Sequence, residues 1–333
     1  MPVFGIGRAT GIGSMPGGDP LEAARTIVSE LPGFPHLPEL PGRGPGADIT
    51  GRAAALLVDM PLEITPRGWR VAERPGRDTR RARSYLSADL DAIEEVLDGY
   101  EGPLKLQVAG PWTLAATVEQ PRSLNPALAD PGLVADLTAS LAEGIAVHVA
   151  EVAKRLPQAT IAVQLDEPAL PAVIAGTVPT ASGLGRVRAP DEEILRERLR
   201  QVIAAAGRES IVHCCGHEYP FRIIKGAGAR ALSVDISQLR TPDFDELAAG
   251  AEAGLGLLLG YPEKTELTNA TAKAIADSVA EVWHKMAQPP ARCAEQVVIT
   301  PACGLASSSP ERARRTLKLV AEAARILPEV MGD

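Results

Sequence analysis

The residues able to do chemistry stand at the ends of a few short apolar runs. In SIVHCC (residues 210–215) an extended backbone alternates its side chains, so His213 and Cys215 share one face and Cys214 takes the other. VVITPACG (residues 297–304) places Cys303 just past the end of a second run, and ALSVDIS (residues 231–237) does the same for Asp235. An imidazole, two thiolates and a carboxylate suit tetrahedral zinc. The expectation is one Zn2+ ion on His213, Cys215, Cys303 and Asp235. Taken singly, a cysteine in an apolar strand is usually inert core, and a histidine beside it is simply hydrogen-bonded. Their recurrence at equivalent strand ends favours the metal.

Those ends meet only if the fold brings them to one rim. Eight short runs qualify as strands: GIGS, FPHLPE (residues 34–39), and residues 104–111, 161–168, 210–215, 231–237, 255–260 and 297–304. Helical patterns separate most of them. Asp19-Pro20 reads as a cap and first turn. Residues 89–98 end at Gly99, and an Ala-rich helix runs over residues 131–155. Asp191 caps a helix in which Ile194, Leu195, Leu199, Val202 and Ile203 share a face, and Gly207 stops it. Further helices are expected over residues 242–253, 268–286 and 310–327, the last capped by Ser309. Apolar strands alternating with helices require a parallel sheet buried on both faces. The predicted class is α/β, a (β/α)8 TIM barrel forming a single domain over residues 1–333, with an insertion around residues 62–84 read as a hairpin carrying Trp69. In such a barrel the carboxyl ends of the strands carry the active site. The open doubly wound sheet is disfavoured because GIGSMPGG lacks the Gly-x-Gly-x-x-Gly spacing.

Composition agrees with a soluble enzyme: 45% hydrophobic and 23% charged residues, with a formal charge of −8. That charge argues against nucleic acid, which needs a basic face; the cluster Arg77, Arg80, Arg81 and Arg83 reads as a solvated segment. No signal peptide or uninterrupted membrane-length apolar run is visible, so no membrane partner is expected. Four cysteines, two of them adjacent, do not make a disulfide framework. A cytoplasmic location is the simplest expectation.

VQLDEPAL (residues 163–170), HCC (residues 213–215) and TPACGLA (residues 300–306) together resemble the catalytic barrel of cobalamin-independent methionine synthase, over most of the chain. The resemblance implies a zinc-dependent methyltransferase acting on homocysteine, with His213, Cys215 and Cys303 as ligands and Asp235 where the family has a glutamate. IGS (residues 12–14) resembles the segment whose backbone at Ile12 and hydroxyl at Ser14 hold the homocysteine carboxylate. Asp166 would bind the amino group, with Glu39 as a second carboxylate. AGPWTL (residues 109–114), with Trp112, resembles the segment near the methyl donor.

Three departures stand beside this. The family's full-length enzymes carry a further N-terminal barrel that this sequence does not contain. Their Asp-x-His after the seventh strand is replaced by LLLGYPEKTEL (residues 257–267), and His217 does not occupy that position. Asp235 is shorter than glutamate. The methyl donor is therefore expected to be either methyltetrahydrofolate or a methylcorrinoid protein. Two other classes remain open: an enzyme resembling uroporphyrinogen decarboxylases, which need no zinc, and a non-catalytic zinc-binding protein.

Overall fold

Among the described residues nine strands form: β1 (Leu62–Thr65), β2 (Gly68–Val71), β3 (Pro103–Ala109), β4 (Val118–Glu119), β5 (Thr160–Asp166), β6 (Ser210–Cys214), β7 (Ala231–Asp235), β8 (Gly256–Tyr261) and β9 (Val297–Pro301), the last five and β3 being the mostly aliphatic runs. They belong to a computed structural model that describes residues 3–5, 7–207, 209–262 and 271–332. Six of them, β3-β5-β6-β7-β8-β9, build one curled parallel sheet. Its register sets Gln107 beside Gln164, Asp166 beside His213, His213 beside Ser233, and Asp235 beside Gly260. Side chains that share an inward face therefore lie in rows.

Two extended segments lie between the edges of this sheet. Ala9 bridges Ile299, Ser14 bridges Glu39, and His36 bridges Lys105, all parallel. Each bridge rests on one pair of bonds: Thr10 N to Ile299 O at 3.2 Å with Ile299 N to Arg8 O at 3.1 Å, Met15 N to Glu39 O at 2.8 Å with Glu39 N to Gly13 O at 3.3 Å, and Leu37 N to Lys105 O at 2.8 Å with Lys105 N to Pro35 O at 3.0 Å. The first two expected strands are thus bridges and not ladders. Pro35 and Pro38 have no N–H to give, and the 11–14 stretch holds two glycines, so neither segment sustains a regular ladder.

Inside the curl the rows differ in chemistry. Phe34, Ala162, Ile211, Ala231, Leu258 and Val298 form an apolar floor. Two residues further along the strands stand buried Gln164, His213, Ser233 and Thr300. Lys105, level with Ala162, reaches into this polar layer. The outward faces pack under the helices in the large hydrophobic core.

Residues 62–84 depart from expectation in their second half. β1 and β2 form the antiparallel hairpin, joined by β4, and Trp69 on it donates to Asp48 at 3.2 Å. From Arg77 onward the chain is already helical, as the 20-residue helix Arg77–Val96. The basic cluster lies on its first two turns, where Thr79 and Ala82 supply the buried stripe and Arg77, Arg80 and Arg83 stay exposed. In Glu192–Ala206, Asp191 makes no side-chain cap bond, and Ile194 is 45% exposed because Leu195, Leu199, Val202 and Ile203 define the inner face. The expected start of the helix at residues 268–270 lies outside the described residues, as do residues 263–267 of LLLGYPEKTEL; the helix is described over Ala272–Lys285.

The helix Pro131–Arg155 has the length and apolar character of a membrane span, which the sequence reading did not expect, and half of its most apolar window is buried inside the fold. It crosses the helix Ile49–Leu56 at Gly144, where a Cβ would overlap the Leu56 carbonyl oxygen. Alanine gains about 1 kcal/mol of helix propensity over glycine, but overpacking against backbone costs about 1–3 kcal/mol. Gly144→Ala is expected to lower the denaturation midpoint, and a midpoint at or above that of the parent would refute this packing account.

Candidate active site

β6 delivers its last residues to the rim. Cys215 Sγ and Cys303 Sγ lie 3.6 Å apart, although 88 residues separate them in the chain. The Cys215 thiol and the His213 ring beside it hold the Cys303 thiol down, to about 4, whereas the shared contact and burial push Cys215 upward. The His213 Nδ1 lies 2.9 Å from Ser233 Oγ on β7, and its buried Nε2 has no protein partner. Cys214 faces the helices, buried, with its thiol raised to about 11 by desolvation. All four cysteines are free.

Asp235 is engaged elsewhere. Its Oδ1 accepts from Ser237 N at 2.8 Å and Ser237 Oγ at 2.7 Å, capping the short turn Ile236–Gln238. Among the described residues, no group of three or more His, Cys, Asp and Glu side chains is assembled as a metal cage. The two thiols touch each other, and the Asp235 carboxylate is used as a cap.

Beside the thiols lies a buried polar cluster. Asp166 accepts from Gln164 Nε2 at 2.7 Å, and burial together with neighbouring Glu39 pushes its pKa well above the usual carboxylate range. Burial also raises Glu39, opposed by Arg52, whose Nε lies 3.1 Å from Glu39 Oε1. Arg52 reaches Asp89 at 2.6 Å, and Arg43 reaches the same oxygen at 2.8 Å. Lys105 is fully buried; desolvation lowers it to about 7 against the pull of Asp166 and Glu39. Gly13 admits this cluster, since a Cβ there would stand 2.6 Å from Glu39 Oε2 and 2.7 Å from Gln107 Nε2.

The remaining expected residues separate into two groups. Ile12 offers its carbonyl to Lys105 Nζ at 2.8 Å and Gln164 Nε2 at 2.9 Å. The Ser14 hydroxyl lies against Gly304, where a Cβ would overlap it, and the Ser14 carbonyl accepts from Leu305 N at 2.8 Å. Both thus adjoin the cluster or the loop that carries Cys303. Trp112 does not reach the rim: its indole is fully buried and donates to the Leu195 carbonyl at 3.0 Å. What ties its segment to the site is Glu167, which accepts from Trp112 N at 3.0 Å and from Thr113 N and Oγ1 at 2.7 Å each. His217 is exposed on a loop.

Lys105, Gln164, Arg52 and Ser233 were not anticipated from the sequence. One signal was present: in LKLQVAG, polar side chains recur every second residue inside an otherwise apolar run, so Lys105 and Gln107 share the inward face.

A family model described as the cobalamin-independent synthase catalytic domain matches residues 8–326. The B12-independent methionine synthase of Shewanella sp. W3-18-1, solved in complex with selenomethionine, is similar in structure at a TM-score of 0.62 and 13% identity, with 98% of this chain and 99% of that one covered. At that identity the likeness is one of fold. A modular endo-β-1,4-mannanase of Cellulomonas fimi is a remote likeness, with a TM-score of 0.39, 14% identity and coverage of 96% of this chain and 76% of that one. No curated protein sequence matches the chain. With the family model matching nearly from end to end, the chain belongs to the cobalamin-independent synthase catalytic-domain family and is a methyltransferase.

Proposed function

We propose that this protein transfers a methyl group from a methylated folate to the thiol of homocysteine, giving methionine, with one Zn2+ on His213, Cys215 and Cys303. The observation that carries this is the pair of thiols 3.6 Å apart beside a buried imidazole nitrogen with no partner. Two sulfurs on one tetrahedral zinc, each at about 2.3 Å, lie about 3.8 Å apart. With Nδ1–H donating to Ser233, His213 keeps its Nε2 lone pair for a metal. Asp235 would join only by turning away from Ser237. The bridging segments at residues 9–14 and 36–39 are read as strands one and two of an eight-stranded barrel in a single domain.

Bound zinc would supply the acidity that turns a thiol of pKa about 8.5 into a thiolate at neutral pH. The protein's own residues set the geometry. Asp166 and Glu39 take the ammonium of the amino acid, and residues 12–14 take its carboxylate. Holding both ends fixes where the sulfur points, which is how orientation lowers a bimolecular barrier. Glu167 anchors the 109–114 segment on the donor side, with Trp112 locked beneath it. The family is cobalamin-independent by description, so a methylcorrinoid partner is not carried forward.

Cys215→Ser and Cys303→Ser are each expected to lose stoichiometric zinc on metal analysis, while Cys214→Ser and Cys293→Ser keep it; full retention by both rim variants would refute the metal assignment. Ser233→Ala is expected to weaken zinc binding about 10–100-fold in chelator competition, as loss of an orienting partner does. Methionine formation is expected with methyltetrahydrofolate and not with methylcobalamin when the two are offered in parallel. Turnover with methylcobalamin alone would overturn the donor.

A further inference from the structure

Beneath the two carboxylates lies an ammonium that belongs to the protein. Lys105 is 0% exposed, and its Nζ donates to the Ile12 carbonyl at 2.8 Å and to Gln164 Oε1 at 2.6 Å. Gln164, equally buried, donates from Nε2 to the same Ile12 carbonyl at 2.9 Å and to Asp166 Oδ1 at 2.7 Å. Three of these bonds close a ring through Lys105, Ile12 and Gln164, and the fourth ties Asp166 to it. The ring joins the 12–14 segment, β3 and β5, which no backbone ladder joins all together.

A buried ammonium is costly unless charges and hydrogen bonds compensate it. The strand positions level with it, from Ala162 to Val298, are apolar, so packing alone does not call for a lysine at this position. What the lysine and glutamine contribute is aim. The amide of Gln164 holds Oδ1 of Asp166, and the two donors on Ile12 hold the backbone of the segment that carries Ser14. Both ends of an amino-acid ligand would be oriented by one ring.

We infer that Lys105 and Gln164 are positioning residues that make the pocket selective for a ligand with a free α-ammonium. The inference rests on the proposed function, because it requires an amino acid as ligand.

The test is calorimetric binding of methionine and of its des-amino analogue, methylthiobutanoate, to the full-length protein. Gln164→Glu retains an acceptor for Lys105 and removes both amide donors; Lys105→Met removes the ammonium. The parent protein is expected to prefer methionine. Each variant is expected to lose about tenfold or more of its methionine affinity, the scale of hydrogen bonds to charged groups, with a clearly smaller loss for methylthiobutanoate, which keeps only the carboxylate end, and with zinc content unchanged. Discrimination preserved in both variants, or equal loss of both ligands, overturns the inference and leaves the proposed function standing. A parent protein that binds neither homocysteine nor methionine overturns both. Should Lys105→Met fail to fold, Gln164→Glu decides alone.

Discussion

The buried charges in this fold can persist only as a balanced set. Lys105, Arg52 and Arg43 carry the positive charges, and Glu39, Asp89 and Asp166 the negative ones, linked by contacts or by short-range fields. An ion buried alone would cost several kcal/mol even after relaxation, so each member keeps its neighbours in place. The set runs from the helix Arg77–Val96, which supplies Asp89, through Ile49–Leu56, which supplies Arg52, to the strand ends. Outer helices are thereby coupled to the rim by electrostatics as well as by packing. A zwitterion entering such a pocket adds no net charge, which suits an amino-acid ligand.

Strand alternation then divides the chemistry by face. At the end of β5, Asp166 turns inward to the polar cluster, while Glu167, the next residue, turns outward and caps the segment at Trp112 and Thr113. Adjacent carboxylates thus do opposite work, one facing a ligand pocket and the other fastening a wall. At the end of β6 the same division separates Cys215, paired with Cys303, from Cys214, which is sealed under the helices. One residue of register slip would exchange these roles, so the parallel ladder is as much a part of the site as the side chains themselves.

What was legible in the sequence follows from this. The thiol pair could be read because period-two alternation and a strand end are both local properties. Alanine content located Pro131–Arg155 to the residue, whereas Arg77–Val96 was legible only over residues 89–98, because its charged first turns mask the stripe. Less legible were features set by distant partners. Asp235 has the right residue type at the right strand end, but a serine two positions on competes for its oxygen, and local capping wins. Trp112 lies in a motif near the expected donor side, yet an indole needs burial and one acceptor, and the Leu195 carbonyl provides it. Ile194 fits a generous apolar stripe, but Leu195, Leu199, Val202 and Ile203 set the buried face and leave it 45% exposed.

Lys105 is the most instructive omission. In a run such as LKLQVAG a lysine reads as a solvent-facing residue or a strand edge, because a charge in a fully buried strand violates the usual partition. Its place becomes intelligible only when Ile12 and Gln164, 152 residues apart, converge on it, with Asp166 tied in through Gln164. A residue that breaks the local rule at a cost, and is compensated solely by groups around a candidate ligand pocket, marks where folding stability and ligand geometry draw on the same bonds. The polar layer inside this curled sheet therefore serves the rim above it more than the apolar floor below.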